Sequence, residues 1–264
     1  MKILNFLFSR SKQEQDKPIR DKLKTRKDFE RVLAEDLDIL ETTKARMDTA
    51  KNINLYMYRS LSYSYILILQ SKYSVDAKID ELRDIYIKSM HYFLQAFNKR
   101  NPIYADILNY VSLGVLLNIP DNNFRQLIDY VKQMDKQAKP SGWTPDLLLW
   151  FMLNSRMKEQ EKQKYAETLA YPRLYNGLYK VIQAPNAAAA KDALNKYLDR
   201  WYNLNSNAPW YNSHLKDNSY RGYWAWEVAA VAKIMHIDDS DLKNNQYYPY
   251  DMVHWEDNET TAKE

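Results

Sequence analysis

The chain contains no cysteine. That excludes disulfide scaffolds, thiolate zinc sites and cysteine nucleophiles, and it fits a reducing compartment. Glycine is nearly as scarce. Only Gly114, Gly142, Gly177 and Gly222 occur, where average usage gives roughly 18 in a chain of this size. Phosphate-cradling loops and two-residue hairpins need glycine for positive φ, and no Rossmann fingerprint, Walker loop or nucleophile elbow is present. Long apolar runs are missing too. The stretch Ile3 to Phe8 at the start is too short for a signal-peptide core, and a membrane-spanning helix needs about 20 apolar residues. A cytoplasmic protein is expected, with residues 1–19 a basic, flexible segment.

What is present is helical periodicity. The 264 residues are 45% hydrophobic and 27% charged, enough for a core without metal or disulfide staples. Phe29, Leu33, Leu37, Leu40 and Met47 fall on one face of a helix expected from near Arg20. A second helix is expected over roughly 53–71. A third carries Ile79, Leu82, Tyr86, Met90, Phe93 and Phe97 on one stripe and stops at "NP", 101–102. Pro145 to Arg156 is strongly apolar, and "AAAAKDALNKYLDRWYNL" is amphipathic with high helix propensity. No segment alternates with a period of two. The fold class is all-α.

Residues 108–124, "LNYVSLGVLLNIPDNNF", align without gaps on 226–242, "WEVAAVAKIMHIDDSDL". Each is a helix with small residues on one face, followed by Ile and an Asp, at an offset of 118. Asp121 and Asp239 read as N-caps that bond free backbone N–H groups. The repeat points to a multi-helix bundle of two related halves, with a break near "KPSGWTP", 139–145. The expected domains are 20–140 and 141–253, followed by an acidic tail over 254–264. Charge is uneven along this plan. Residues 1–28 hold nine Lys/Arg against four Asp/Glu, whereas 236–264 hold two against eight. Either end can steer a charged partner, or both are solvated termini.

Glu227 stands out because a helical projection of 223–235 puts it among Tyr223, Ala230, Val231 and Ile234, with Lys233 and His236 pointing away. A buried charge is costly unless it is paired and hydrogen-bonded. One reading is an acid–base carboxylate with a raised pKa. The other is a structural node bonded to an Arg, a Tyr hydroxyl or an indole N–H. Its counterpart in the first half is Asn109, also polar among apolar neighbours, which favours the structural node.

Other chemistry is sparse. His91, His214, His236 and His254 lack metal-ligand spacing, and no glycine-bearing calcium loop accompanies the paired acids Asp238 and Asp239. No metal or cofactor is expected. The 22 tyrosines and seven tryptophans mostly fall on the apolar stripes and so belong to the core. "NQYYPYDMV", 245–253, places three around a proline, suited to docking or to an interface.

The stretch "GYWAWEVAAVAKIMHIDDSDL" followed by "YYPYDMV" resembles the C-terminal domain of the PoNi immunity proteins, the inhibitors of PoNe polymorphic nuclease toxins. The resemblance rests on Gly222, Tyr223, Trp224, Trp226, Glu227, Ile237, Asp238, Asp239, Tyr247, Tyr248, Pro249 and Asp251. "RDKLKTRKDFERVL" from Arg20 and "YRSLSYSYILILQSKYSVDAKIDELRDIY" are similar to the opening and the second and third helices of the N-terminal domain. What the resemblance implies is an all-α cytoplasmic protein that is not an enzyme. Its partner is a cognate nuclease toxin of the PD-(D/E)xK type, commonly delivered by type VI secretion, and it acts by stoichiometric occlusion. A DNase surface is basic, so local acidic contacts are expected. Candidates for these are Asp238, Asp241, Asp251, Glu256 and Asp257. Two other readings stay open. A nucleic-acid-binding helical protein predicts salt-sensitive retention of DNA or RNA. A hydrolase using Glu227 with His236 or His254 predicts that Glu227→Gln abolishes an activity without loss of stability.

Overall fold

Thr25 sets the start of the first helix. Its hydroxyl accepts from the Asp28 amide at 3.3 Å, and the Asp28 carboxylate accepts from the Thr25 amide at 3.0 Å. This capping box satisfies two free donors at once, so the helix begins at Arg26 and not near Arg20. The computed structural model describes residues 18–96, 103–136, 143–216 and 219–261, with side chains to residue 256. The expected flexible segment thus lies outside the described residues except for 18 and 19.

Ten α-helices run through the described residues: α1 Arg26–Thr49, α2 Leu55–Val75, α3 Ile79–Ala96, α4 Tyr104–Leu116, α5 Asp121–Lys136, α6 Leu147–Asn154, α7 Pro172–Ile182, α8 Ala187–Leu204, α9 Trp226–Met235 and α10 Tyr250–Thr261. There is no strand among the described residues, only an isolated parallel bridge between Asp146 and Thr168. The protein is all-α. No helix of the described residues is long and apolar enough to cross a membrane. Asn54, Asp146 and Asn186 cap α2, α6 and α8 by accepting the amides of Met57, Leu149 and Ala189.

Two compact units divide the chain. The first takes the chain to Phe97 and again Asn212–Tyr223; the second takes Asn98–Tyr211 and everything from Trp224 onward. By this division α4 and α5 group with the second unit. The cause is packing: α4 lies against its repeat partner α9. Residues 254–261 continue α10, whose Met252 and Trp255 are buried.

In the first unit α2 packs against both α1 and α3. Leu33 and Leu40 of α1 meet Leu61, Tyr65 and Ile68 of α2, with Ile85 and Tyr92 of α3 closing the cluster. Each such side chain contributes roughly 1.5–3 kcal/mol when fully buried. The segment 212–223 completes this unit. Its Arg221 guanidinium donates twice to Asp36 of α1, at 2.7 and 2.8 Å.

In the second unit α4 and α9 end alike. Asn118 and His236 both take positive φ, 42° and 52°. The amides of Ile119 and Ile237 then reach back to the carbonyls of Gly114 and Ala232, at 3.3 and 3.0 Å. All three pairs stand at the offset of 118, and the bonds are the Schellman closure of a helix C-terminus. The short repeat seen in the sequence is therefore a repeat of structure. Elsewhere in this unit α7 crosses α8 closely at Gly177, where an added Cβ would sit 2.6 Å from the Tyr197 ring.

Candidate functional site

Glu227 occupies the second position of α9, where the unpaired amides of a helix N-terminus favour a carboxylate. The residue is 6% exposed. The Trp201 indole of α8 donates to Oε1 at 2.6 Å, and Tyr175 and Tyr197 from α7 and α8 lie close enough to feel its charge. Burial pushes the Glu227 carboxyl up to about 7, while the indole N–H and its own amide pull the other way. Among the described residues no cation pairs with it. An aromatic donor therefore does the work that an arginine would do elsewhere.

Several sequence expectations about this region need correction. The helix starts at Trp226, so Tyr223 is not on its face; the Tyr223 hydroxyl instead holds Ser213 and His214 within the first unit. Lys233 does not point into open solvent. Its ammonium bonds the Leu116 carbonyl at the end of α4 and the Glu256 carboxylate. Asn109 is only half-buried, so the parallel with Glu227 does not extend to a second buried node.

The hydrolase geometry is not assembled. His236 caps the far end of α9, about 13 Å along the axis from Glu227 at the usual rise per residue. His254 bonds Asp239 at 2.8 Å. A general acid or base has to reach its substrate, and Glu227 is enclosed by aromatic rings with one oxygen committed to an indole. Groups of three or more potential metal ligands do not occur among the described residues.

Asp239 was expected to cap the turn that follows it. The structure shows its carboxylate making no cap bond. It accepts from the Tyr248 hydroxyl at 2.6 Å and faces His254 on the other oxygen. A helix C-terminus with a positive-φ residue at 236 already turns the chain, which frees Asp239 to anchor the Tyr247–Pro249 segment. Asp121 likewise forms an ion pair, with Arg156. The anchoring is completed by the Ala225 amide, which donates to the Tyr247 carbonyl at 2.9 Å, and by the Tyr247 ring stacked on Tyr202 at 5.3 Å. Tyr248 and Pro249 are buried, as are Trp224 and Trp226. Gly222 has φ 107°, a conformation that only glycine adopts without strain.

The five acidic residues proposed from sequence as partner contacts are not equivalent. Asp238 and Asp241 are exposed and share Lys191 of α8 at 2.8 and 3.3 Å. Lys191 holds Asp238 well below the usual carboxylate range; for Asp241 slight burial opposes, and bonds from Asn195 and Lys191 outweigh it. Glu256 is half-buried between Lys233 and Asn118. Asp251 is exposed in the first turn of α10. The side chain of Asp257 lies outside the described residues.

Sequence reasoning missed several carboxylates, Asp21 among them. Asp146 is fully buried, accepts from Tyr104 at 2.8 Å and from the Leu149 and Ala170 amides, and is raised by burial. Asp135 receives the indoles of Trp143 and Trp150 and the hydroxyl of Tyr165, each at 2.8 Å. Asp36 takes the Arg221 fork. The signals were present: Asp36 sits on the apolar stripe between Leu33 and Leu40, and Asp146 opens the run "LLLW".

An all-helical scaffold whose buried carboxylates are engaged mainly by its own tyrosines and tryptophans is the class of protein these residues define. Residues 12–129 match the N-terminal domain of the PoNe immunity proteins (PoNi), and residues 144–252 match their C-terminal domain. The chain belongs to the PoNe immunity protein family. No curated protein matches it. Among solved structures, the crystal structure of protein PA2201 from Pseudomonas aeruginosa is similar with a TM-score of 0.69 over 96% of this chain and 93% of that chain, at 18% identity. That likeness is one of fold.

Proposed function

We propose that this chain binds a cognate PoNe nuclease toxin and neutralises it by stoichiometric occlusion, protecting the producing cell in competition between bacteria. The observation that carries the reading is the pair of family matches across 12–129 and 144–252. The toxin would be a DNase of the PD-(D/E)xK type, commonly delivered by type VI secretion, and the immunity protein would act in the cytoplasm. The engagement of Glu227, Asp239 and Asp146 within the fold supports a binding role over a catalytic one. Neutralising a few toxin molecules calls for roughly nanomolar affinity, about −12 kcal/mol.

Asp238, Asp241, Asp251, Glu256 and Asp257 are proposed as toxin contacts. Asp238 and Asp241 are exposed, and among the described residues the cation paired with both is Lys191. Exposed ion pairs contribute little, so a lysine or arginine of a basic nuclease can replace Lys191 at small cost, and a basic DNA-binding surface is steered toward acids.

The test is co-purification of the chain with the toxin encoded beside its gene, followed by a DNA-cleavage assay. A one-to-one complex without cleavage is expected. A folded pair that neither binds nor loses cleavage contradicts the proposal. Retention of DNA by the immunity protein alone in low salt would favour a nucleic-acid-binding role instead.

A further inference from the structure

Residues 212–223 lie within the C-terminal family domain, 144–252, yet they are part of the first compact unit. We propose that this segment is a clasp on which the folded state of the N-terminal helices depends, so that the N-terminal family domain does not fold from its own residues alone.

The clasp engages three places in the first unit. The Tyr220 hydroxyl donates to Asp21, whose other oxygen already accepts the Leu23 and Lys24 amides. The Arg221 guanidinium forks onto Asp36 of α1, with the two side chains 9% and 2% exposed. The Ser74 hydroxyl, near the end of α2, donates to the Arg221 carbonyl at 2.7 Å. The Tyr220 ring packs 5.8 Å from Phe29. Gly222 turns the chain at positive φ, and the Tyr223 hydroxyl receives the His214 amide at 3.0 Å, closing the clasp on itself.

Asp21 and Asp36 explain why this is more than a docked loop. Both are buried, at 3% and 2% exposed. Without residues 220–221 Asp36 loses the cation it pairs with among the described residues, and Asp21 loses its phenolic donor. Leaving one partner of a buried ion pair unpaired is strongly destabilising, whereas replacing both by apolar groups is often tolerated. The fold of α1 and α2 is therefore conditional on a segment about 185 residues further along the chain. It follows that the two family domains are not exchangeable modules: a chimera joined within 130–143 keeps its first unit only if the Asp36–Arg221 and Asp21–Tyr220 pairs travel together.

Hydrogen exchange read by mass spectrometry on the full chain tests this. Arg221→Met is expected to speed exchange in Arg26–Thr49 and Leu55–Val75 by about tenfold or more, while Ala187–Leu204 and Trp226–Met235 stay within about twofold. The double variant Asp36→Leu with Arg221→Met is expected to regain most of the protection. Should Arg221→Met fail to fold, Tyr220→Phe is expected to give the same regional pattern, with an increase of about threefold. Unchanged exchange in α1 and α2 overturns the proposal. So does an equal increase in all helices, or a double variant no better protected than the single one.

Discussion

The two units differ in how they hold one buried carboxylate, Asp36 in the first and Glu227 in the second. Each buries acidic side chains, but the first neutralises Asp36 with a guanidinium at 2.7 Å, while the second gives Glu227 a neutral indole at 2.6 Å. A forked ion pair keeps its charge and gains direction. A buried carboxylate with only neutral donors is costly to ionise, and burial raises Glu227 to about 7 although the indole opposes the rise. Neutral aromatic donors also serve Asp146 with Tyr104, Asp135 with Trp143 and Trp150 and, in the first unit, Asp21 with Tyr220. Asp239 combines the Tyr248 hydroxyl with the His254 ring. Several tyrosines and tryptophans thereby take a second role. These residues supply apolar area and a hydrogen-bond donor from one side chain.

The largest expected effect falls on the ion pair. Arg221→Met strands Asp36 and costs roughly 3–5 kcal/mol, read as a shifted denaturation midpoint of the first unit. A cost near zero would remove the distinction between the units.

Glu227 comes next and has a pH signature. Its folded value, about 7, lies above the ordinary 4.5. Between those values the unfolded chain has released its proton and the folded chain has not, so the unfolded state binds fewer protons and stability falls as pH rises. The loss amounts to on the order of 3 kcal/mol from pH 4.5 to 7 and levels off above. Glu227→Gln is expected to flatten the slope and to be no less stable than the parent at pH 8. Urea titrations at several pH values followed by tryptophan fluorescence check both points; a slope that survives the substitution assigns the pH dependence to another group.

Tyr248→Phe removes one neutral donor from Asp239 and is expected to cost about 1–2 kcal/mol in calorimetry. At the small end, Lys191→Ala should leave the melting temperature unchanged, because its partners Asp238 and Asp241 are exposed. A clear destabilisation there would make the Lys191 pair part of the scaffold and a poor candidate for exchange with a toxin.

The helices were legible because the 3.6-residue stripes of α1 and α3 and the apolar composition of α6 leave no competing period. The node at Glu227 was legible for the same reason, as a charge on an apolar helix. The partners were not. Asp21 and Tyr220 are 199 positions apart and Asp36 and Arg221 are 185 apart, and no local pattern connects residues over such distances. Asp239 misled because an aspartate just after a helix reads as a cap of the next turn. Only the folded chain shows that Tyr248 and His254 converge on it. The placement of α4 with the second unit was not legible either: the repeat of 108–124 in 226–242 pointed to two separate halves, whereas the matched helices pack on each other within one unit.

The most direct test is a titration of toxin nuclease activity with this chain and with its Glu227→Gln variant. The account predicts that cleavage falls linearly to zero at one equivalent of either protein, because neutralisation is binding and Glu227 serves the fold. Neutralisation at far less than one equivalent, or its loss in a folded Glu227→Gln variant, would contradict it.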